Sequence, residues 1–143
     1  MRGTTRDPSR CAEIEAAGAE SVVGDPDVVG TLARSLEHVG VACVLLASAV
    51  GSPEHLEALH GSRLDMLLTR MVDTTVRGVV YEAAGSIDPA ILDAGAALVR
   101  ARCEDARIPY VLLSADPGDH PAWTAAAATA VNSTLDGRPH GPR

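Results

Sequence analysis

"VACVLLASAVG" (41–51) is the stretch on which the fold turns. From Val41 to Ala47 no side chain is charged or strongly polar, and Val and Leu dominate. An unbroken apolar run of strand length predicts a strand covered on both faces, the pattern of a parallel sheet. It also predicts Cys43 to be a small core residue. The small residues that follow, "ASAVGS" (47–52), permit either close helix–sheet packing or a ligand lying against the backbone.

Outward from this strand the chain alternates between strand and helix. "RGVVYEAAG" (77–85) and "IPYVLLSADP" (108–117) predict two strands downstream, "ESVVGD" (20–25) and "MRGTTR" (1–6) two upstream. Asp7 suits an N-cap and Pro8 a first helical position; Cys11, Ile14 and Ala17 share a helical stripe, and Gly18 stops it. Asp27 is placed to cap a helix "VVGTLARSLEHV" (28–39), with Val28, Leu32 and Leu36 inward and Gly40 at its end. Ser52-Pro53 starts a short helix, and Leu64, Leu67, Leu68, Met71 and Val72 form the inward stripe of the next. Asp88-Pro89 opens a long helix to about Arg107, with Ile91, Leu92, Leu98, Val99 and Cys103 inward. "PAWTAAAATAVNSTL" (121–135) is the last helix.

This alternation predicts an α/β, three-layer architecture: a mostly parallel sheet of about five strands with helices on both faces. At 143 residues, 46% of them apolar, one domain is expected, spanning 1–135, with the polar "DGRPHGPR" (136–143) as a disordered tail. No internal repeat or domain boundary interrupts it.

Composition narrows the function. The net charge is -7, which argues against a nucleic-acid partner. All twelve basic residues are arginine. The absence of lysine excludes a Walker-A loop, a Schiff base and a Tyr-x-x-x-Lys dyad. No membrane span and no leader segment are evident, so a cytoplasmic chain is expected. Cys11, Cys43 and Cys103 are spaced too widely for a disulfide framework or a zinc site, and no metal is predicted. The five histidines are scattered and are expected on the surface.

Ligands of parallel α/β sheets bind beyond the carboxyl ends of the strands. After the first strand stand Thr5 and Arg6, whose guanidinium suits a phosphate. After the second stand Asp25, able to accept from an adenine amino group, and Pro26. Beyond the third lie Ala47, Ser48 and Ala49. Tyr81 and Glu82 at the end of the fourth are the catalytic candidates, although Tyr81 alternates with Val79 in the manner of a core residue.

The stretch "RGTTRDPSR…EIEAAGAESVVGDPDVVGTLARSLEHVGVACVLLASAVG", with "VRGVVYEAAGS" and "ALVRARCEDARIPYVLL", resembles NAD(P)-binding Rossmann proteins. The likeness is to extended and atypical short-chain dehydrogenase/reductases, including epimerase/dehydratase-like and NmrA-like members, over roughly residues 1–115. It implies NAD or NADP as cofactor, with NADP favoured by Arg6. It further implies that Thr5 and Arg6 face the adenosine ribose or its 2′-phosphate, and that Asp25 and Pro26 sit by the adenine. Ala47, Ser48 and Ala49 would line the nicotinamide-side ribose, and Ala83 and Ala84 fall where a catalytic serine often stands. If catalytic, the chain would be an oxidoreductase or epimerase/dehydratase-like enzyme. The missing lysine fits better with the NmrA-like group, which often binds the cofactor without turning it over.

The family's first strand and Gly-x-x-Gly-x-x-Gly loop have no counterpart, so weakened cofactor binding is expected. In strand order 3-2-1-4-5-6 that strand is central. Its absence leaves "MRGTTR" and "VACVLLAS" facing a gap, with three outcomes open: the sheet closes up, a second copy or a partner chain pairs with the edges, or the protein is longer. One expectation is a gene start placed one element late, a bacterial GTG valine codon being read as Met1. Upstream in-frame DNA encoding the loop would confirm this, and a nearby stop codon would contradict it.

Overall fold

The structure, a computed structural model, describes residues 1–137; residues 138–143, most of the expected tail, lie outside the described residues. All five expected strands form, in the expected order: β1 (Arg2–Thr5), β2 (Glu20–Val23), β3 (Val41–Val44), β4 (Gly78–Glu82) and β5 (Tyr110–Leu113). They alternate with α1 (Cys11–Ala16), α2 (Pro53–Ala58), α3 (Leu64–Val72), α4 (Pro89–Ala106) and α5 (His120–Leu135). The chain is an α/β protein in which every ladder is parallel.

Local signals explain the helix starts. Asp7 Oδ1 accepts from the Ser9 amide at 2.9 Å, Ser52 Oγ from the His55 amide at 3.2 Å, and Asp88 Oδ1 from the Ala90 amide at 2.9 Å. Each cap is followed by proline in the first turn, where no amide is needed. Gly18 ends α1 at φ +88°, a left-handed conformation that glycine adopts without strain. At the last helix Asp119, two residues before the expected start, supplies the cap.

The strands lie in two sheets. β1 pairs with β2 alone, and β3, β4 and β5 form the second sheet in that order. Among the described residues, one edge of β1 and one edge of β3 therefore carry no ladder. β4 is central and buried throughout. Val79 and Tyr81 pack against residues of α3 and α4, while Val80 faces Ala130 of α5. Helices thus cover both faces of this sheet.

β3 departs from expectation. Ala42 and Val44 are buried, but Cys43 and Leu45 on the other face are exposed. α5 covers that face over β4 and β5, and on β3 its cluster reaches only the half-buried Val41. Cys43 is consequently a surface thiol and not a core residue.

The expected helix 28–39 is also corrected: Val29–Leu36 is a 3-10 helix that buries Val29, Leu32, Ser35 and Leu36, with Val28 exposed. Thr31 explains part of this. Its Oγ accepts from the Asp25 amide and donates to the Val28 carbonyl, both at 2.7 Å, tying the first turn to local side-chain bonds. Ala17 and Val72, expected inward, are exposed.

No apolar residue before Val29 belongs to the buried core. Polar contacts help join the β1–α1–β2 layer to the rest, among them the Arg2 guanidinium on the carbonyls of Ser35 and Glu37. Such a layer opens at lower free energy than the β3–β4–β5 core.

Candidate functional site: the rim at the strand ends

The carboxyl ends of β1, β2 and β3 are gathered by one residue. Asp27, in the turn after β2, has its Oδ2 2.6 Å from His55 Nε2 and 3.8 Å from Arg6 Nη1. Its backbone carbonyl accepts from Arg63 Nε at 2.9 Å. Arg6 follows β1, and His55 stands on α2, which follows β3. These contacts bring three chain segments to one rim. Asp27 is therefore not the helix cap its position suggested; the N-cap of the 3-10 helix is Val28, without a side-chain bond.

The expected cofactor residues lie along this rim and its continuation. Thr5 is half-buried, and its carbonyl accepts from the Gly24 amide at 2.9 Å. Arg6 keeps 57% of its side-chain surface exposed. Asp25 Oδ1 accepts from the Asp27 amide at 2.9 Å, holding the turn, and Pro26 beside it is half-buried. Ala47 is fully buried, Ser48 exposed and Ala49 half-buried. Ser48 Oγ accepts from the Ser86 amide at 3.4 Å, joining the loops after β3 and β4. Ala83 and Ala84 are half-buried, and the Ala83 amide donates to the Leu113 carbonyl at 2.8 Å.

Tyr81 and Glu82 are engaged inside the fold. Glu82, 5% exposed, accepts from the Ala47 amide at 3.0 Å through Oε1 and from Trp123 Nε1 at 2.9 Å through Oε2. It therefore clasps β3, β4 and α5 together where the strands end. Tyr81 has no exposed surface, and its hydroxyl lies 2.7 Å from His60 Nδ1. His60 Nε2 lies 3.0 Å from the Leu46 carbonyl, which can only accept. Nε2 thus carries the proton, and Nδ1 accepts from the tyrosine hydroxyl. Burial, with the Glu82 charge second, holds the Tyr81 hydroxyl well above its ordinary value, so it stays protonated.

His60 corrects the expectation of surface histidines: it is 2% exposed. It sits in a π-helical turn, Leu59–Arg63, between α2 and α3. Burial lowers its proton affinity, and the Leu46 carbonyl and Glu82 pull the other way without reversing it. The folded chain thus binds this proton less readily than the unfolded chain. The stability that neutral His60 confers is full above the ordinary imidazole value of 6.5 and is lost as pH falls through the lower folded value. The thermal midpoint is expected to drop on acidification through this window. A His60→Gln variant should show a shallower acid slope, and identical slopes would contradict the assignment.

Sequence reasoning missed the roles of Asp27, His55, His60 and Trp123, because each rests on contacts between segments 21 to 41 residues apart. Among the described residues no group of His, Cys, Asp and Glu is arranged to hold a metal ion. No described helix is long and apolar enough to cross a membrane.

No family model and no curated protein matches the sequence. The fold does match solved structures. Citrobacter sp. triphenylmethane reductase complexed with NADP(H) aligns with a TM-score of 0.58 at 17% identity, over 78% of this chain and 38% of that one. A second structure of the same reductase gives the same values. The structure of gox2253 aligns with a TM-score of 0.56 at 19% identity, over 78% of this chain and 41% of that one. The chain is thus similar in fold to these proteins and spans about two-fifths of their length.

Proposed function

We propose that the chain is an NAD(P)-binding Rossmann-type protein of the NmrA-like or epimerase/dehydratase-like short-chain dehydrogenase/reductase group. The observation that carries this reading is Arg6, an exposed guanidinium at the carboxyl end of β1, on a rim shared with Asp25 and the loop after β3. In a fold similar to that of a reductase complexed with NADP(H), this is where the adenosine end of a dinucleotide would lie. Arg6 would meet a 2′-phosphate, Thr5 the ribose, and Asp25 and Pro26 the adenine. Ala47, Ser48, Ala49 and Ala83 would leave room for the nicotinamide end. NADPH, when bound, supplies a hydride; the chain's own contribution is to bind and orient it.

The residues present fit the adenosine end better than the pyrophosphate. Among the described residues no glycine-rich loop opens onto the rim, so binding should be weak. With no lysine among its 143 residues, this stretch of chain does not itself supply a Tyr-x-x-x-Lys dyad. Tyr81 and Glu82, buried and bonded within the fold, are not offered to a substrate; binding without turnover is the simpler role.

Thermal shift tests this directly. At ten times its dissociation constant a ligand adds about 1.4 kcal/mol, or about 4 °C for a domain of this size. NADPH should raise the midpoint more than NADH, and Arg6→Ala should abolish the difference. No shift with millimolar NADPH would contradict binding.

A second reading, a non-enzymatic interaction module, is favoured by the unpaired edges of β1 and β3 and the exposed Cys43 and Leu45 beside them. A strand from a second copy or a partner chain would complete both ladders. Light scattering on the purified chain should then give a dimer; a clean monomer would count against self-pairing.

A further inference from the structure

Asp27 carries more charge than its partners take up. Its side chain is 18% exposed, yet Oδ1 is buried and accepts no hydrogen bond among the described residues. Arg63 Nε stands 3.9 Å from that oxygen and already donates to the Asp27 carbonyl. Oδ2 has a close partner, His55 Nε2 at 2.6 Å. A carboxylate oxygen only accepts, so Nε2 carries a proton whether the ring is neutral or charged. The proton the ring gains or loses therefore sits on Nδ1. That atom packs against Gly51, where an added Cβ would collide with it.

Arg6 is the third group on this carboxylate. Its Nη1 is 3.8 Å from the same Oδ2, and its side chain is more than half exposed. A contact of this length and exposure is weak and responds to charges beside it. With His55 neutral, the Asp27–His55 pair keeps a full negative charge and draws the long Arg6 side chain. With His55 protonated, the pair is neutral and that hold drops. The Arg6 guanidinium is also the group assigned above to a 2′-phosphate, so Asp27 and the phosphate compete for one cation.

The other charged groups around His55 are occupied or turned outward. Asp25, in the same turn as Asp27, is engaged by the Asp27 amide. Arg63, on the π-helical turn, is bound to the Asp27 carbonyl. Glu54 and Glu57, on α2 itself, are exposed to solvent.

We propose that Asp27 and His55 set the coenzyme preference of this rim: Asp27 restrains Arg6 from a 2′-phosphate, and protonation of His55 releases it. The preference rests on the dinucleotide reading above; the restraint on Arg6 itself needs no nucleotide.

Two measurements keep the inference and that reading apart. In the nucleotide-free chain, the Arg6 Nε–H resonance should follow the titration of the His55 ring between about pH 8 and about pH 6, and stay flat in His55→Gln. NADP⁺ and NAD⁺, which differ only in the 2′-phosphate, are then titrated by calorimetry over the same range. The phosphate itself loses charge near about pH 6, so wild type and His55→Gln are compared at each pH. The NADP⁺-over-NAD⁺ affinity ratio of wild type, relative to that of the variant, should rise about threefold on acidification, as expected of one partly exposed charge contact. Asp27→Asn should raise the ratio about threefold at about pH 8, whereas an Asp27 that only held the rim together would, on removal of its charge, weaken both nucleotides alike. An Arg6 resonance indifferent to His55, the same pH course of the ratio in wild type and His55→Gln, or an unchanged ratio in Asp27→Asn would overturn the inference. A chain that binds neither nucleotide while Arg6 still follows His55 would overturn the dinucleotide reading and support the restraint.

Discussion

Replacing Glu82 by alanine should lower the folding stability by about 3–4 kcal/mol. The carboxylate accepts two hydrogen bonds where it is almost fully buried, from the Ala47 amide and from Trp123 Nε1. Bonds to a charged group contribute roughly 1.5–3 kcal/mol each, and truncation leaves two buried donors without acceptors. For a domain of this size the loss corresponds to about 10 °C in thermal midpoint. Glu82→Gln, which retains one acceptor oxygen, should lose less. Chemical denaturation of the three proteins reads both effects. A loss below about 1 kcal/mol in the alanine variant would show that Glu82 does not tie β3, β4 and α5 together.

Gly95→Ala should destabilise the chain even though it places a better helix former inside α4. On helix propensity alone the change would stabilise by up to about 1 kcal/mol. A Cβ at Gly95, however, would collide with the Tyr81 hydroxyl and lie 2.8 Å from the Tyr81 ring carbon that bears it. Tyr81 has no exposed surface and is bonded to His60, so it cannot swing away cheaply. Overpacking of this kind costs about 1–3 kcal/mol, and the broken hydrogen bond adds about 1 kcal/mol. The net loss is expected near 1–3 kcal/mol. Gly95→Ala should be better tolerated in a Tyr81→Phe background, where the colliding oxygen is gone. Additive effects in that double-mutant cycle would mean that α4 does not approach β4 through this pair.

Much of this architecture was legible because it is written in local patterns. Pro8, Pro53 and Pro89, each behind a capping Asp or Ser, mark three helix starts whatever lies around them. The apolar runs at 41–47, 78–81 and 110–113 are too short for buried helices and read as strands covered on both faces, which 78–81 is and 41–47 is on one face only. What escaped depends on neighbours. Cys43 reads as core because its strand is apolar on both sides, yet its exposure is decided by where α5 stops. Asp27 has the position of a cap, but Thr31 takes over the local bonds and leaves its carboxylate to His55. His60 and Tyr81 are 21 residues apart and meet only through a π-helical turn beside β4. The strand ends were expected to carry the candidate site; the assembly of their rim around Asp27 was not foreseen, since the three segments meet only in the folded chain.

Hydrogen exchange with and without millimolar NADPH tests the proposed binding most directly. In the free chain the β1–α1–β2 layer, which contributes no apolar residue to the buried core, should exchange much faster than β4 and β5. NADPH should slow exchange at Thr5 to Asp7, Asp25 to Asp27 and Ala47 to Ala49, and do so more than NADH at equal concentration. Unchanged exchange at all three segments would contradict the account.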